Sequence, residues 1–241
     1  MGRSTCFQNL KATEHFNLSA FWSGSGCDSV QVGEALNYID MSATPEKVEF
    51  WFDPACPWCW MTSRWITEVS AKRQFAVQWQ LFSLEMLNEG REPGSHAAAH
   101  AQGLQALRVC AAVREAHGDA AVGQLYTELG TRYHKEGNKD MQAVIANALD
   151  ALQLPAELAA AAADTAYDAA VRSSTEAALK LVGNQVGIPI VAIDGKGFFG
   201  PVVTPAPTGQ QALDLFDGLV LCTQVDGFYE LKKTRNASPQ F

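Results

Sequence analysis

The sequence predicts an α/β chain: a β-α-β unit, a long helical stretch, and a closing β-β-α unit. Three observations lead there. An apolar run, KVEFWF at Lys47–Phe52, stops at Asp53-Pro54 and passes straight into a helical pattern. Ala- and Leu-rich helical periodicities then fill almost everything from 97 to 182. After them, two short apolar runs flank Asp194-Gly195, a dipeptide suited to a tight hairpin.

In order along the chain, Lys47–Phe52 reads as a buried strand. Pro57 to about Lys72 reads as a helix, with apolar Trp60, Met61, Trp65, Ile66 and Val69 at helical spacings and Pro57 at the first helical position, where its missing N–H costs nothing. Phe75–Ser83, FAVQWQLFS, alternates as a second strand. Helical patterns follow at Ala97–His117, Ala120–His134, Asp140–Leu152, Pro155–Ala163 and Thr165–Val182. Gly118, Gly137 and Gly183 fall where C-terminal caps belong. Ala159–Ala163 is low in complexity, but alanine is the best helix former, so helix is expected over linker. Pro189–Ile193 and Phe198-Phe199 read as strands, and Gln210–Leu221 as a closing helix. This order is that of a thioredoxin fold with an α-helical domain spliced into its middle. The expected boundaries are 44–84 and 184–241 for the thioredoxin-like domain and 85–183 for the helical insert.

Residues 1–43 lack sustained periodicity and are expected to be a weakly ordered N-terminal extension. Met41 opens the part that reads as a compact domain; it is either an internal residue or the natural first one. The chain has 241 residues, 47% of them apolar, enough for a sizeable core. A formal charge of −8 without a long basic run argues against a nucleic-acid partner. No stretch approaches the roughly 20 apolar residues of a membrane span, and the first residues lack the apolar segment of a secretory signal. The expected compartment is the cytoplasm, where a close cysteine pair is more often catalytic or metal-binding than structural.

That pair is Cys56 and Cys59, in DPACPWCW. A thiolate is the nucleophile in disulfide exchange, and Cys56 precedes the first helical residue, where free N–H groups and the positive helix end favour the anion. Cys59, one turn on, can attack a mixed disulfide on Cys56. Cys56 is therefore expected to be the exposed, attacking thiol and Cys59 the resolving one. A metal site fits less well. Zinc usually takes four ligands, no second CxxC exists, and His96 and His100 in HAAAH lack the glutamate of a zinc protease; they read as the start of a helix capped by Ser95. No metal is expected. Cys6, Cys27, Cys110 and Cys222 read as bystanders. In GIPIV, Pro189 opens a strand, a position where proline is tolerated. A cis bond after Ile188 would turn the backbone of that residue toward a substrate.

Together, DPACPWCW, the helical stretch, GIPIV and FFGPV resemble the DsbA-like thioredoxin superfamily. The chain is most similar to the actinobacterial mycothiol-dependent nitroreductases, often described as mycoredoxin-like. That similarity runs from about Val48 to Phe241 and includes LNEGRE, RYHKEGN, LPAEL and ELKKTR with Pro239-Gln240-Phe241. It implies a cytosolic enzyme with no tightly bound cofactor that takes electrons from mycothiol, a low-molecular-weight thiol, and reduces disulfides or nitroaromatic compounds. It implies that Cys56 is nucleophile and Cys59 resolver, and that Trp58, Asn88 and His134 line the substrate pocket beside Ile188 and Pro189. His134 also reads as a cation suited to the last turn of a helix. Ile188 departs from the family pattern, in which threonine is common before the proline, and residues 1–40 have no counterpart. Absence of a GxGxxG turn argues against NAD(P)H as direct partner, and no motif calls for a flavin. CPWC alone does not separate such a reductase from a dithiol-disulfide isomerase of the FrnE type. Retention of both cysteines argues against a non-redox binding protein on the same scaffold.

Overall fold

The computed structural model describes residues 45–241. The expectations for residues 1–43, and Cys6 and Cys27 with them, lie outside the described residues.

A four-stranded sheet has the order β2-β1-β3-β4, with β1 (Val48–Phe52) and β2 (Val77–Leu81) parallel, and β3 (Ile190–Ile193) and β4 (Lys196–Phe199) added antiparallel. Every residue of β1 and β3 is buried, as the unbroken apolar runs require. Helix α1 (Pro57–Arg73) joins the parallel pair, and α7 (Gly209–Thr223) closes the chain against it. Two contacts lock those helices: the Trp65 indole N–H donates to Ala212 O at 2.9 Å, and Arg73 holds Asp217 through both carboxylate oxygens at 2.8 and 2.6 Å. The hairpin between β3 and β4 turns on Asp194 and Gly195, with φ of 49° and 81°, values that favour a small turn residue.

Between β2 and β3 the chain is helical: α2 (Leu84–Leu87), α3 (Ala97–His117), α4 (Asp119–Gly130), α5 (Met141–Ala151) and α6 (Asp168–Val182). The fold is a thioredoxin fold with a helical insertion. Phe50 and Phe52 of β1 meet Trp79 of β2 and Tyr126 of α4; the Phe52 and Tyr126 rings stack with centroids 3.9 Å apart. On the other face of the strand, the Trp51 indole donates to Ser174 O of α6 at 3.1 Å. Aromatic side chains thus clamp β1 from both sides.

Several expectations shift in detail. The first three strands are shorter at their ends than the apolar runs, whereas β4 begins two residues before Phe198, at Lys196. His96, not Ser95, caps α3, and without a side-chain hydrogen bond. Ala156–Ala163 and Thr165–Tyr167 wind as 3-10 helices instead of α-helix. Asp164 separates the two and starts a new turn by accepting the Ala166 N–H at 2.8 Å. Residues Thr131–Lys135, expected to continue α4, form one π turn, closed by Glu136 N–H to Thr131 O at 2.9 Å.

Candidate active site

Cys56 is the N-cap of α1, in extended conformation, and its sulfur accepts the Cys59 N–H at 3.4 Å. The first turn of α1 carries no carboxylate, so an uncompensated positive helix end faces this sulfur. Cys56 is expected to be exposed; it is only 6% exposed, and its N–H donates to Asp53 O at 3.0 Å within the turn that precedes it. Cys59 is wholly buried, and burial, with Cys56 beside it as the second cause, pushes its thiol well above the ordinary cysteine range. The two sulfurs differ in kind: one sits at the helix mouth, the other behind it in the core.

The turn that carries them is built on Asp53. Its carboxylate accepts the Ala55 N–H at 2.9 Å and the Leu84 N–H at 3.0 Å, joining the end of β1 to the start of α2. Asp53 is fully buried, and burial raises its carboxyl from 3.8 to about 7 against the opposing pull of those two amides. Gly103 of α3 makes room for it: a Cβ there would stand 2.1 Å from Asp53 Oδ1. Gly130 of α4 admits the Trp60 ring in the same way, at 2.1 Å. These contacts seat the insert against the dithiol turn.

His134, in the π turn, comes to that turn from the opposite side. Its Nε2 lies 2.8 Å from Pro54 O, so it carries a hydrogen and donates to that carbonyl. The ring stacks near Trp60, with centroids 6.1 Å apart. The expected cation at a helix end does not form. His134 is buried, and desolvation lowers its imidazole to about 4, which leaves it neutral near neutral pH. The π turn widens the winding by one residue and directs this side chain inward.

Ile188 is buried and its bond to Pro189 is cis. The last β1–β3 pair is Trp51 with Ile190, so Pro189 lies at the end of the sheet where Phe52 leads into the Cys56 turn. Trp58 is half-buried beneath the Arg235 guanidinium, 4.8 Å from its ring. Asn88 is occupied elsewhere: it caps α2, its Nδ2 donates to Leu84 O at 2.7 Å, and its Oδ1 accepts from Arg91 at 3.3 Å. Thus Cys56, Cys59, Trp58, His134 and Pro189 gather around one turn, while Asn88 is tied to its own short helix. Cys110 is buried, which pushes its thiol up to about 12, and Cys222 is half-buried on α7.

Sequence reading missed Asp53, Gly103 and Arg235 as parts of the site. An acid directly after a wholly apolar strand, and glycines inside helical patterns, were the available signals. Arg235 lies in ELKKTR, one of the stretches that carry the similarity, but a cation in a polar tail reads as solvated.

Residues 55–233 match the family model described as "Rv2466c-like: Mycothiol-dependent nitroreductase Rv2466c". The chain belongs to this family. Members of the mycothiol-dependent nitroreductase family are thiol-dependent oxidoreductases, and the chain is accordingly an enzyme of thiol-disulfide chemistry. The uncharacterized protein Rv2286c of Mycobacterium tuberculosis is 29% identical over 194 residues, covering 78% of this chain and 82% of that protein. Among solved structures, the cytosolic disulfide reductase DsbM of Pseudomonas aeruginosa is similar at TM-score 0.50 and 14% identity, over 73% of this chain and 98% of its own. A putative protein disulfide isomerase from Nitrosomonas europaea aligns at TM-score 0.48 and 13% identity, over 73% and 98%. Within the described residues, no helix of this family member is long and apolar enough to cross a membrane.

Proposed function

We propose that this chain is a mycothiol-dependent reductase of disulfides or nitroaromatic compounds, working through Cys56 and Cys59. The observation that carries the reading is the asymmetry of the pair. Cys56 receives an amide hydrogen at a helix mouth, whereas Cys59 is buried behind it with its thiol pushed up. An attacking sulfur needs a stabilised anion, which the helix end offers at Cys56; a resolving sulfur needs shelter from solvent and a short path to its partner.

In the reductive half, the two thiols give up two electrons and two protons and end as the Cys56–Cys59 disulfide. A nitroaromatic acceptor takes those electrons and protons to become the nitroso compound and water; a disulfide acceptor becomes two thiols. In the restoring half, a mycothiol thiolate attacks Cys56 Sγ, forms a mixed disulfide there and releases Cys59, which takes a proton. A second mycothiol displaces the first as mycothiol disulfide and returns Cys56 to its reduced form. His134, neutral and donating to Pro54 O, positions the turn that precedes Cys56. Trp58, half-buried at the first turn of α1, offers an aromatic face for the acceptor. No nicotinamide, flavin or metal enters any step. The reading places the enzyme in the cytoplasm, where a reducing thiol pool is available.

The test is turnover of a nitroaromatic by metal-free, flavin-free protein with mycothiol as sole reductant. Turnover lost in Cys56→Ser supports the mechanism. Turnover that requires added flavin, or survives Cys56→Ser, overturns it. Efficient reshuffling of scrambled disulfides with no nitroaromatic turnover would establish the isomerase in its place.

A further inference from the structure

The segment after α7 contains no helix or strand, yet it returns to the dithiol. Near its start, the Phe228 ring meets Phe198 of β4 with centroids 5.6 Å apart. At its end, the Gln240 N–H donates to Thr204 Oγ1 at 2.8 Å, and that hydroxyl donates to Ser238 O at 3.4 Å. The loop holding Thr204 is itself fastened to α1, because the Thr62 hydroxyl donates to Pro201 O at 2.7 Å. Anchored at both ends, the strap lays two side chains beside the CPWC turn. The Arg235 guanidinium sits over the Trp58 ring at 4.8 Å, and the Phe241 ring stands 5.4 Å from that of His134.

Stacking on an indole satisfies the face of a guanidinium and leaves its in-plane N–H donors free. Arg235 is exposed and has no carboxylate partner among the described residues. A second cation acts on His134, whose ring Phe241 meets. Lys139 donates to Tyr133 O at 2.6 Å, lies 3.9 Å from the Tyr133 ring, and helps to lower the imidazole of His134. A chain with net charge −8 thus presents positive charge and aromatic faces at its dithiol. That combination suits a flat ligand carrying an anionic group.

We propose that residues 235–241 form the outer wall of the acceptor site and that Arg235 selects aromatic acceptors bearing an anionic substituent. This rests on the reading of Cys56 and Cys59 as the pair that reduces a small acceptor. With an aromatic disulfide, Cys56 thiolate attacks one sulfur and releases one aryl thiolate. Cys59 then loses its proton and displaces the second, leaving the protein disulfide. The acceptor's ring lies between Trp58 and the His134–Phe241 edge, and its anionic group meets the guanidinium.

The experiment uses the full reduced chain and two aromatic disulfides, dianionic 5,5′-dithiobis(2-nitrobenzoate) and neutral 4,4′-dithiodipyridine. Their oxidation rates are compared for the native protein, Arg235→Gln, Arg235→Lys and Phe241→Ala. Arg235→Gln should lower the anionic-to-neutral rate ratio about tenfold, in line with loss of a hydrogen bond to a charged group. Arg235→Lys should recover part of the ratio, and added salt should erode it in the native protein. Phe241→Ala should slow both disulfides together. An unchanged ratio in Arg235→Gln overturns the proposal. A parallel pair, 4-nitrobenzoate and 4-nitrobenzamide with mycothiol, separates the two readings. If neither nitro compound turns over while the disulfide ratio still falls, the nitroreductase reading fails and the role of Arg235 stands.

Discussion

Asp53→Asn should change the pH dependence of stability as well as stability itself. In the fold, the Asp53 carboxyl titrates at about 7 because it is buried; in the unfolded chain it titrates near 3.8. Between those values the folded protein holds a proton that the unfolded chain has released. By linkage, stability therefore falls as pH rises through this window and levels off above about 7. From pH 5 to 7 the window spans roughly two units at about 1.4 kcal/mol each. Native protein should lose about 2.5 kcal/mol of stability between pH 5 and 8 from this group alone. Asparagine cannot titrate. It keeps one carbonyl acceptor for the two amides of Ala55 and Leu84 and turns its own NH₂ toward the other. That lost bond costs about 1–3 kcal/mol at every pH. The assay is urea unfolding of both reduced proteins at pH 5, 6, 7 and 8. The variant should begin less stable at pH 5 and approach or overtake the native protein by pH 8. Parallel profiles would refute the reasoning and show that Asp53 titrates in its ordinary range.

The other expectations follow from packing and burial. Gly130→Ala should destabilise by about 1–2 kcal/mol in urea unfolding, since a methyl 2.1 Å from the Trp60 ring outweighs the gain in helix propensity; a stabilised variant would show that Trp60 yields freely. The imidazole of His134, lowered to about 4 by burial, should show no titration by NMR between pH 5.5 and 8; a midpoint near 6.5 would mean that the ring is solvated. Its burial also makes stability fall as pH drops from about 6.5 toward 4, because the unfolded chain then takes up the proton first. Cys59→Ser treated with mycothiol disulfide should accumulate a single adduct, mapped by mass spectrometry to Cys56. Cys110, pushed up to about 12, should resist iodoacetamide at pH 7 until the protein is unfolded; equal labelling of Cys56 and Cys110 in native protein would count against the assignment.

The sequence by itself determined the thioredoxin fold with its helical insertion and the placing of the dithiol at a strand-to-helix turn. Those features rest on local signals: an unbroken apolar run in Val48–Phe52, proline at the first residue of α1, and Asp194-Gly195 in the hairpin. Periodicity and turn chemistry act within a few residues, so they can be read without coordinates. Depth cannot. Only the tertiary structure decided that Cys56 is nearly covered, that His134 is neutral rather than cationic, and that Asp53 is desolvated enough to rise to about 7. His134, in the π turn, pairs with Pro54, 80 residues earlier, and the strap pairs Gln240 with Thr204. Desolvation and these pairings join residues far apart in sequence, and no window along the chain contains both partners.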